Sequence, residues 1–186
     1  VRLQQDLLEQ DQLAQDQLDR ASREGGAMRR AACPGSYDPP TRGHLDIIAR
    51  TARQFDQVQV LVGNNRSKTG LFTPPERVEL LAEACADLPG VEVQLFDGLL
   101  VDYCREHSID CVVKGIRVAA DFDYEMQMAQ MNHRMTGIET VFMPAAAQWA
   151  YVSSSLVRDI ARFGGEFDQF VTPEIAARTR QKLTKD

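Results

Sequence analysis

Cysteine is scarce in this chain: Cys33, Cys85, Cys104 and Cys111 are the four in 186 residues. No two of them form a C-x-x-C pair, so their spacing suggests neither a zinc site nor a disulfide frame, and reduced thiols are expected. Histidine numbers only three, scattered, which gives a structural metal centre little to draw on. An excess of positive charge is also missing: 21 Lys and Arg stand against 27 Asp and Glu, a formal net charge of −6. A general nucleic-acid surface needs a cationic footprint, so any phosphate chemistry here must rest on cations gathered locally. No apolar run approaches the length of a membrane span, and the first residues lack the apolar core of a signal peptide. These absences predict a cytoplasmic protein that uses neither membrane nor nucleic acid.

What is present is the composition of an ordinary globular domain, 44% hydrophobic and 26% charged, long enough for a single full core. Residues 1–27 stand apart. They are rich in Gln, Asp and Leu and close on "REGGA", a linker-like break. Leu3, Leu7, Leu8, Ala14 and Leu18 form only a partial helical stripe. This stretch reads as an N-terminal extension, disordered or loosely helical, and absent from the natural product if translation starts at Met28. The domain is 28–186.

Within that domain short apolar runs alternate with helical patterns. Strands are predicted at 29–33, 57–63, 91–96, 110–115 and 138–144, and helices at 45–54, 73–88, 99–107, 121–135, from the serines near 153 to Gly164, and at 173–183. Thr73 with Pro74 and Pro75 opens the second helix as a hydroxyl cap followed by first-turn prolines. Strands separated by helices predict an α/β fold, a doubly wound five-stranded parallel sheet with helices on both faces. Ligands of such sheets bind beyond the carboxyl ends of the strands, which makes the strand-to-helix loops the informative ones.

Four of these loops carry candidate chemistry. "CPGSYDPPTRGH" ends in His44 at a helix mouth, where free N–H groups attract phosphate. That histidine either faces an anion or caps its own loop and packs against Tyr37. Lys114 and Arg117 bracket Gly115 after the fourth strand, either as phosphate grips or as solvated cations. Ser153, Ser154 and Ser155 supply one cap and two spare hydroxyls, with Arg158 a turn further on to neutralise a polyphosphate. Lys68 projects from the polar loop "NNRSKTGLF". All four lie on one edge of the sheet, a pattern suited to a triphosphate and a second phosphorylated substrate. Asp121 and Glu125 either pair with the Lys114–Arg117 loop or touch a nucleotide. Trp149 and Tyr151 either flank an adenine or are buried. His107 and His133 show no partner pattern, and the stripe Met126, Met128, Met131, Met135 reads as packing or a subunit contact.

The run "PGSYDPPTRGH" resembles the opening motif of the bacterial phosphopantetheine adenylyltransferases, nucleotidyltransferases with an [HT]-x-G-H signature. "SKTGLF", "ERVELL", "FDGLLVDY", "KGIR", "DFDYEMQMAQMN" and "YVSSSLVRDIA" extend the likeness over nearly all of 28–186. The resemblance implies a Rossmann-like fold and transfer of AMP from ATP to 4′-phosphopantetheine, giving dephospho-CoA and pyrophosphate. It implies that His44 stabilises the transition state, with Lys68 and Arg117 beside it. It assigns ATP to Ser36, Tyr37, His44, Gly115, Ile116, Arg117, Glu125, Trp149, Ala150, Tyr151, Val152, Ser153, Ser154 and Ser155. Phosphopantetheine falls to Ser36, Lys68, Leu100 and Lys114. Mg2+ held mainly by the ATP phosphates, a homohexamer and feedback binding of CoA are implied too. Departures are mild: Lys114 stands where many members have arginine, Ser36 replaces the commoner threonine, and Pro40 and Arg42 alter the signature loop. Two rivals remain at this point: the same chemistry on another acceptor, such as nicotinamide mononucleotide or a phosphorylated alcohol activated by CTP, and a non-catalytic nucleotide-binding protein.

Overall fold

A computed structural model describes residues 28–63 and 70–184. The N-terminal extension and Lys68 lie outside the described residues. Five strands, β1 (Arg30–Gly35), β2 (Gln57–Gly63), β3 (Val91–Phe96), β4 (Cys111–Ile116) and β5 (Glu139–Pro144), form one sheet in the order β3-β2-β1-β4-β5. Every neighbouring pair is parallel. Six helices alternate with or follow them: α1 (Arg42–Ala52), α2 (Pro74–Ala84), α3 (Leu100–Glu106), α4 (Ala119–Thr136), α5 (Ser154–Arg162) and α6 (Pro173–Leu183). This is the expected Rossmann-like, doubly wound α/β fold.

The period-two alternation of each strand sorts its side chains between two cores. Ala31, Cys33, Val58, Val60, Val62 and Val113 pack with Ile47 and Ile48 of α1 and Leu81 of α2 on one face. Ala32, Leu61 and Val112 pack with Val101 and Cys104 of α3 on the other. A third cluster joins Leu71, Phe72 and Leu80 to Val157 of α5 and Ile175 of α6, so α5 and α6 are fastened to α2. The four cysteines are buried and unpaired. Among the described residues no helix is long and apolar enough to cross a membrane.

Several boundaries differ by a few residues from those predicted, the first helix running Arg42–Ala52 where 45–54 was expected, and two of the differences have a clear physical reason. The second helix is four residues shorter: it stops at Ala84, and Leu88 turns back to donate its N–H to the Cys85 carbonyl. The chain must reverse there because Gly90, at φ +73°, passes so close to Asp56 that a Cβ would stand 2.5 Å from its carbonyl oxygen. The helix expected to start at 121 starts at Ala119, and Gly137 in the left-handed conformation ends it. No residue of α4 is buried, and Met128, Met131 and Met135 lie uncovered on it.

Candidate active site

Order β3-β2-β1-β4-β5 changes direction between β1 and β4, and that is where a doubly wound sheet opens to ligands. The β1–β4 ladder holds only at Ala31–Cys111 and Ala32–Val112, whereas β1 and β2 stay in register from Arg30–Gln57 to Gly35–Val62. Beyond Ala32 the two strands part. A cleft of about 870 Å³ fills the gap, lined by the signature loop and α1, the end of β4, the start of α4, and residues Trp149 and 152–155. A smaller cavity of about 150 Å³, lined by Leu100, Tyr124, Met128, Asn132 and Thr140, shares Lys114 and Glu125 with it.

His44 stands at the third position of α1, where it caps its own loop and packs against Tyr37 while lining the cleft. Thr41 is the N-cap; its hydroxyl accepts the His44 N–H at 3.4 Å, and its own N–H donates to His44 Nδ1 at 3.0 Å. This is a capping box with imidazole in the place usually taken by a carboxylate. The Tyr37 ring meets the imidazole edge-on, with centroids 5.1 Å apart. Because a backbone N–H can only donate, Nδ1 must accept, and a neutral His44 carries its proton on Nε2. Burial, and then the nearby Arg117 guanidinium, push the imidazolium down to about 4. His44 is therefore a neutral hydrogen-bond donor at ordinary pH.

Lys114, Arg117 and Arg158 converge on the cleft, and each of the three is paired with a carboxylate. Lys114 pairs with Glu125 at 3.0 Å. Arg117 pairs with Asp121 through Nε and Nη2 and donates Nη1 to the Val152 carbonyl at 3.2 Å. Arg158, expected to neutralise a polyphosphate, lines the cleft and donates to the Asp38 carbonyl and, at 3.2 Å, to Ser155 Oγ. Its other partner is the buried Asp38 carboxylate, 3.5 Å away. A carboxylate left unpaired in that interior would be costly, and this draws the arginine down. Among the serines, Ser153 caps α5 by accepting the Leu156 N–H, and Ser154 donates to the Pro39 carbonyl at 2.8 Å. Ser154 thereby spends its proton, whereas the Ser153 and Ser155 hydroxyls accept and keep theirs to offer; of the two hydroxyls expected to be spare beside the cap, Ser154 is occupied and Ser155 is not.

Other expected residues scatter around this centre. Ser36, Gly115, Trp149, Val152 and the three serines line the cleft. Leu100 lines only the smaller cavity. Ile116 and Ala150 adjoin the cleft in sequence without lining it, and Tyr151 is exposed, its ring edge-on to Phe170. Tyr37 borders the cleft yet is buried, its hydroxyl bonded to the Cys33 carbonyl at 2.8 Å. Tyr37 sits at φ +50°, a conformation non-glycine residues rarely adopt. A Cβ on Gly35 would stand 2.8 Å from its ring, so that glycine, itself on the cleft wall, makes room for Tyr37. Of the two unassigned histidines, His133 pairs with Glu139 at 3.2 Å and His107 stacks on Tyr103.

Sequence reasoning missed a hub beneath the cleft. The Asp38 carboxylate accepts the N–H groups of Leu71 and Phe72 at 2.9 and 2.8 Å. Buried Arg77 donates to the Phe72 and Ser36 carbonyls at 2.9 and 3.0 Å. Together with Arg158 these groups lock the signature loop to residues 70–72 and to α5. One signal was available: Arg77 shares the i, i+3, i+4 stripe of Leu80 and Leu81, where a charge needs a buried partner.

Comparison with known proteins agrees with this geometry. The cytidylyltransferase-like family matches residues 32–160. A phosphopantetheine adenylyltransferase of Nocardioides is 51% identical over 156 residues, spanning 84% of this chain and 98% of that one. One from Thermobifida fusca is 48% identical over 158 residues, spanning 85% and 96%. The solved structure of a bifunctional NMN adenylyltransferase/ADP ribose pyrophosphatase from Francisella tularensis superposes with a TM-score of 0.60 at 13% identity, covering 86% of this chain and 49% of that one; that likeness is one of fold alone. Signature loop, switch-point cleft and end-to-end identity agree, and the chain belongs to the phosphopantetheine adenylyltransferase family.

Proposed function

We propose that this enzyme transfers AMP from ATP to 4′-phosphopantetheine, releasing pyrophosphate and forming dephospho-CoA. The observation that carries the reading is the neutral His44, its Nε2–H available at the mouth of α1 in a cleft that also holds Lys114, Arg117 and Ser155. A phosphate oxygen of the acceptor attacks the α-phosphorus in line. The new P–O bond forms as the bond to the β-phosphate breaks, and pyrophosphate leaves with that electron pair. The substrate supplies the nucleophile, so no side chain need become covalent or take a proton; alignment and charge stabilisation suffice. His44 donates from Nε2 to a non-bridging α-phosphate oxygen and keeps its proton.

Around that step the residues divide by substrate. Arg117, Glu125, Gly115–Arg117 backbone, Tyr37 and the 149–155 segment hold ATP; Lys114, Lys68 and Leu100 hold phosphopantetheine; Ser36 serves both. Among the described residues no three His, Cys, Asp or Glu side chains are grouped to hold a metal ion, and Asp121 and Glu125 already bind cations. An Mg2+ would be held mainly by the ATP phosphate oxygens and water, ligands that suit this hard ion. When bound, it neutralises charge on the polyphosphate. The uncovered apolar residues of α4 support the homohexamer, and CoA, which keeps the pantetheine arm and adenylate of the product, is suited to feedback binding in the same cleft. We place the reaction in the cytoplasm.

The test is pyrophosphate release from ATP with magnesium and a panel of acceptors. Phosphopantetheine is expected to support turnover, with dephospho-CoA formed in equal amount, and nicotinamide mononucleotide to support none. Indifference to phosphopantetheine would overturn the reading.

A further inference from the structure

Arginine has five N–H donors, and at Arg117 three are committed. Nε and Nη2 donate to Asp121 Oδ2 and Oδ1 at 2.9 and 3.0 Å, and Nη1 donates to the Val152 carbonyl at 3.2 Å. The carboxylate thus covers the lateral edge of the guanidinium, and one N–H remains on each terminal nitrogen. The free N–H of Nη2 points to the end of the fork, the side that matches phosphate oxygens. We propose that Asp121 is a positioning residue for the nucleotide: it grips the lateral edge of Arg117 so that the end of the guanidinium fork is presented to a phosphate group in the cleft. The inference rests on the ATP reading above and adds a residue to it.

Two observations favour an anchor over an occupant that phosphate displaces. Asp121 lies in the first turn of α4, where the helix dipole stabilises a carboxylate. Its contact with Arg117 is bidentate and half-buried, the side chains 26% and 36% exposed. The neighbouring pair Lys114–Glu125 differs. An ammonium is a point charge with no edge to aim, so Glu125 screens Lys114 without orienting it.

The test compares ATP binding by titration calorimetry in the parent, Asp121→Asn and Asp121→Glu, with KM for each substrate. The asparagine variant keeps the size but loses one acceptor and the charge. It is expected to bind ATP about tenfold more weakly, in the range for losing a charge-assisted bidentate contact, with KM for phosphopantetheine unchanged and the parent's melting temperature kept. Asp121→Glu, which restores charge and both oxygens, is expected to recover most of the loss. ATP affinity in Asp121→Asn equal to or tighter than the parent's would overturn the proposal, as would an equal loss for both substrates. Parent turnover reports on the proposed function and ATP affinity on Asp121, so the two fail separately.

Discussion

At His44 two neighbours decide which nitrogen holds the proton and whether there is a second one. The Thr41 N–H makes Nδ1 an acceptor, while burial and Arg117 keep the ring neutral. Replacing the ring by a methyl group removes a donor that matters most in the transition state. His44→Ala is expected to lower kcat about 10²–10⁴-fold with little change in KM for ATP, as read by steady-state kinetics; near-normal turnover would contradict the assignment. Histidine NMR should find the ring titrating near pH 4 in the free enzyme and higher once polyphosphate sits beside it. The folded pKa lies below the unfolded value of about 6.5, so the unfolded chain binds more protons between the two. Stability is expected to fall as pH drops from about 6.5 towards 4. A titration near 6.5 in the free protein would contradict this environment.

Helix ends and strand ends do most of the placing. Thr73 and Glu76 form a capping box on α2, and Lys182 near the end of α6 donates to both Glu76 oxygens, at 2.6 and 2.9 Å. Lys182 first, and then Thr73, hold the Glu76 carboxyl down at about 2. The next residue is Arg77, which holds the Ser36 carbonyl, so this strut reaches the signature loop. Glu76→Gln keeps the box and loses the ion pair; with both side chains partly exposed, a loss of about 0.5–1 kcal/mol is expected at neutral pH. Glu76 contributes above its unfolded value of 4.5 and loses that contribution as pH falls towards 2, so urea midpoints of parent and variant should converge across that window. A constant gap would contradict it. Caps such as Thr73-Pro-Pro and Ser153 were legible because their signals are local. The early end of α2 was not: Cys85 and Leu88 continue the helical spacing, and the reversal answers to Gly90 against Asp56, a tertiary contact.

Over the whole molecule, an acidic chain gathers His44, Lys114, Arg117 and Arg158 at the switch point of one sheet. Their convergence was legible, because each cationic cluster follows a short apolar run that reads as a strand. Pairing of the Lys114–Arg117 loop with Asp121 and Glu125 was one of its two readings, but the neutralisation of Arg158 was not legible. Pairing of Arg158 with Asp38 spans 120 positions, and an aspartate before two prolines reads only as a turn. The parting of β1 from β4 after two rungs, which opens the cleft, likewise has no local signal. The signature motifs filled part of that gap, since they name the substrates that physical reading left as two phosphorylated molecules. What they leave to geometry is the aim of the imidazole. A crystal structure with a non-hydrolysable ATP analogue tests that most directly. The account predicts an α-phosphate oxygen within about 2.6–3.2 Å of His44 Nε2, with Nδ1 still on Thr41 and a phosphate on the end of the Arg117 fork. An α-phosphate held elsewhere, with Nε2 turned away from it, would contradict the account.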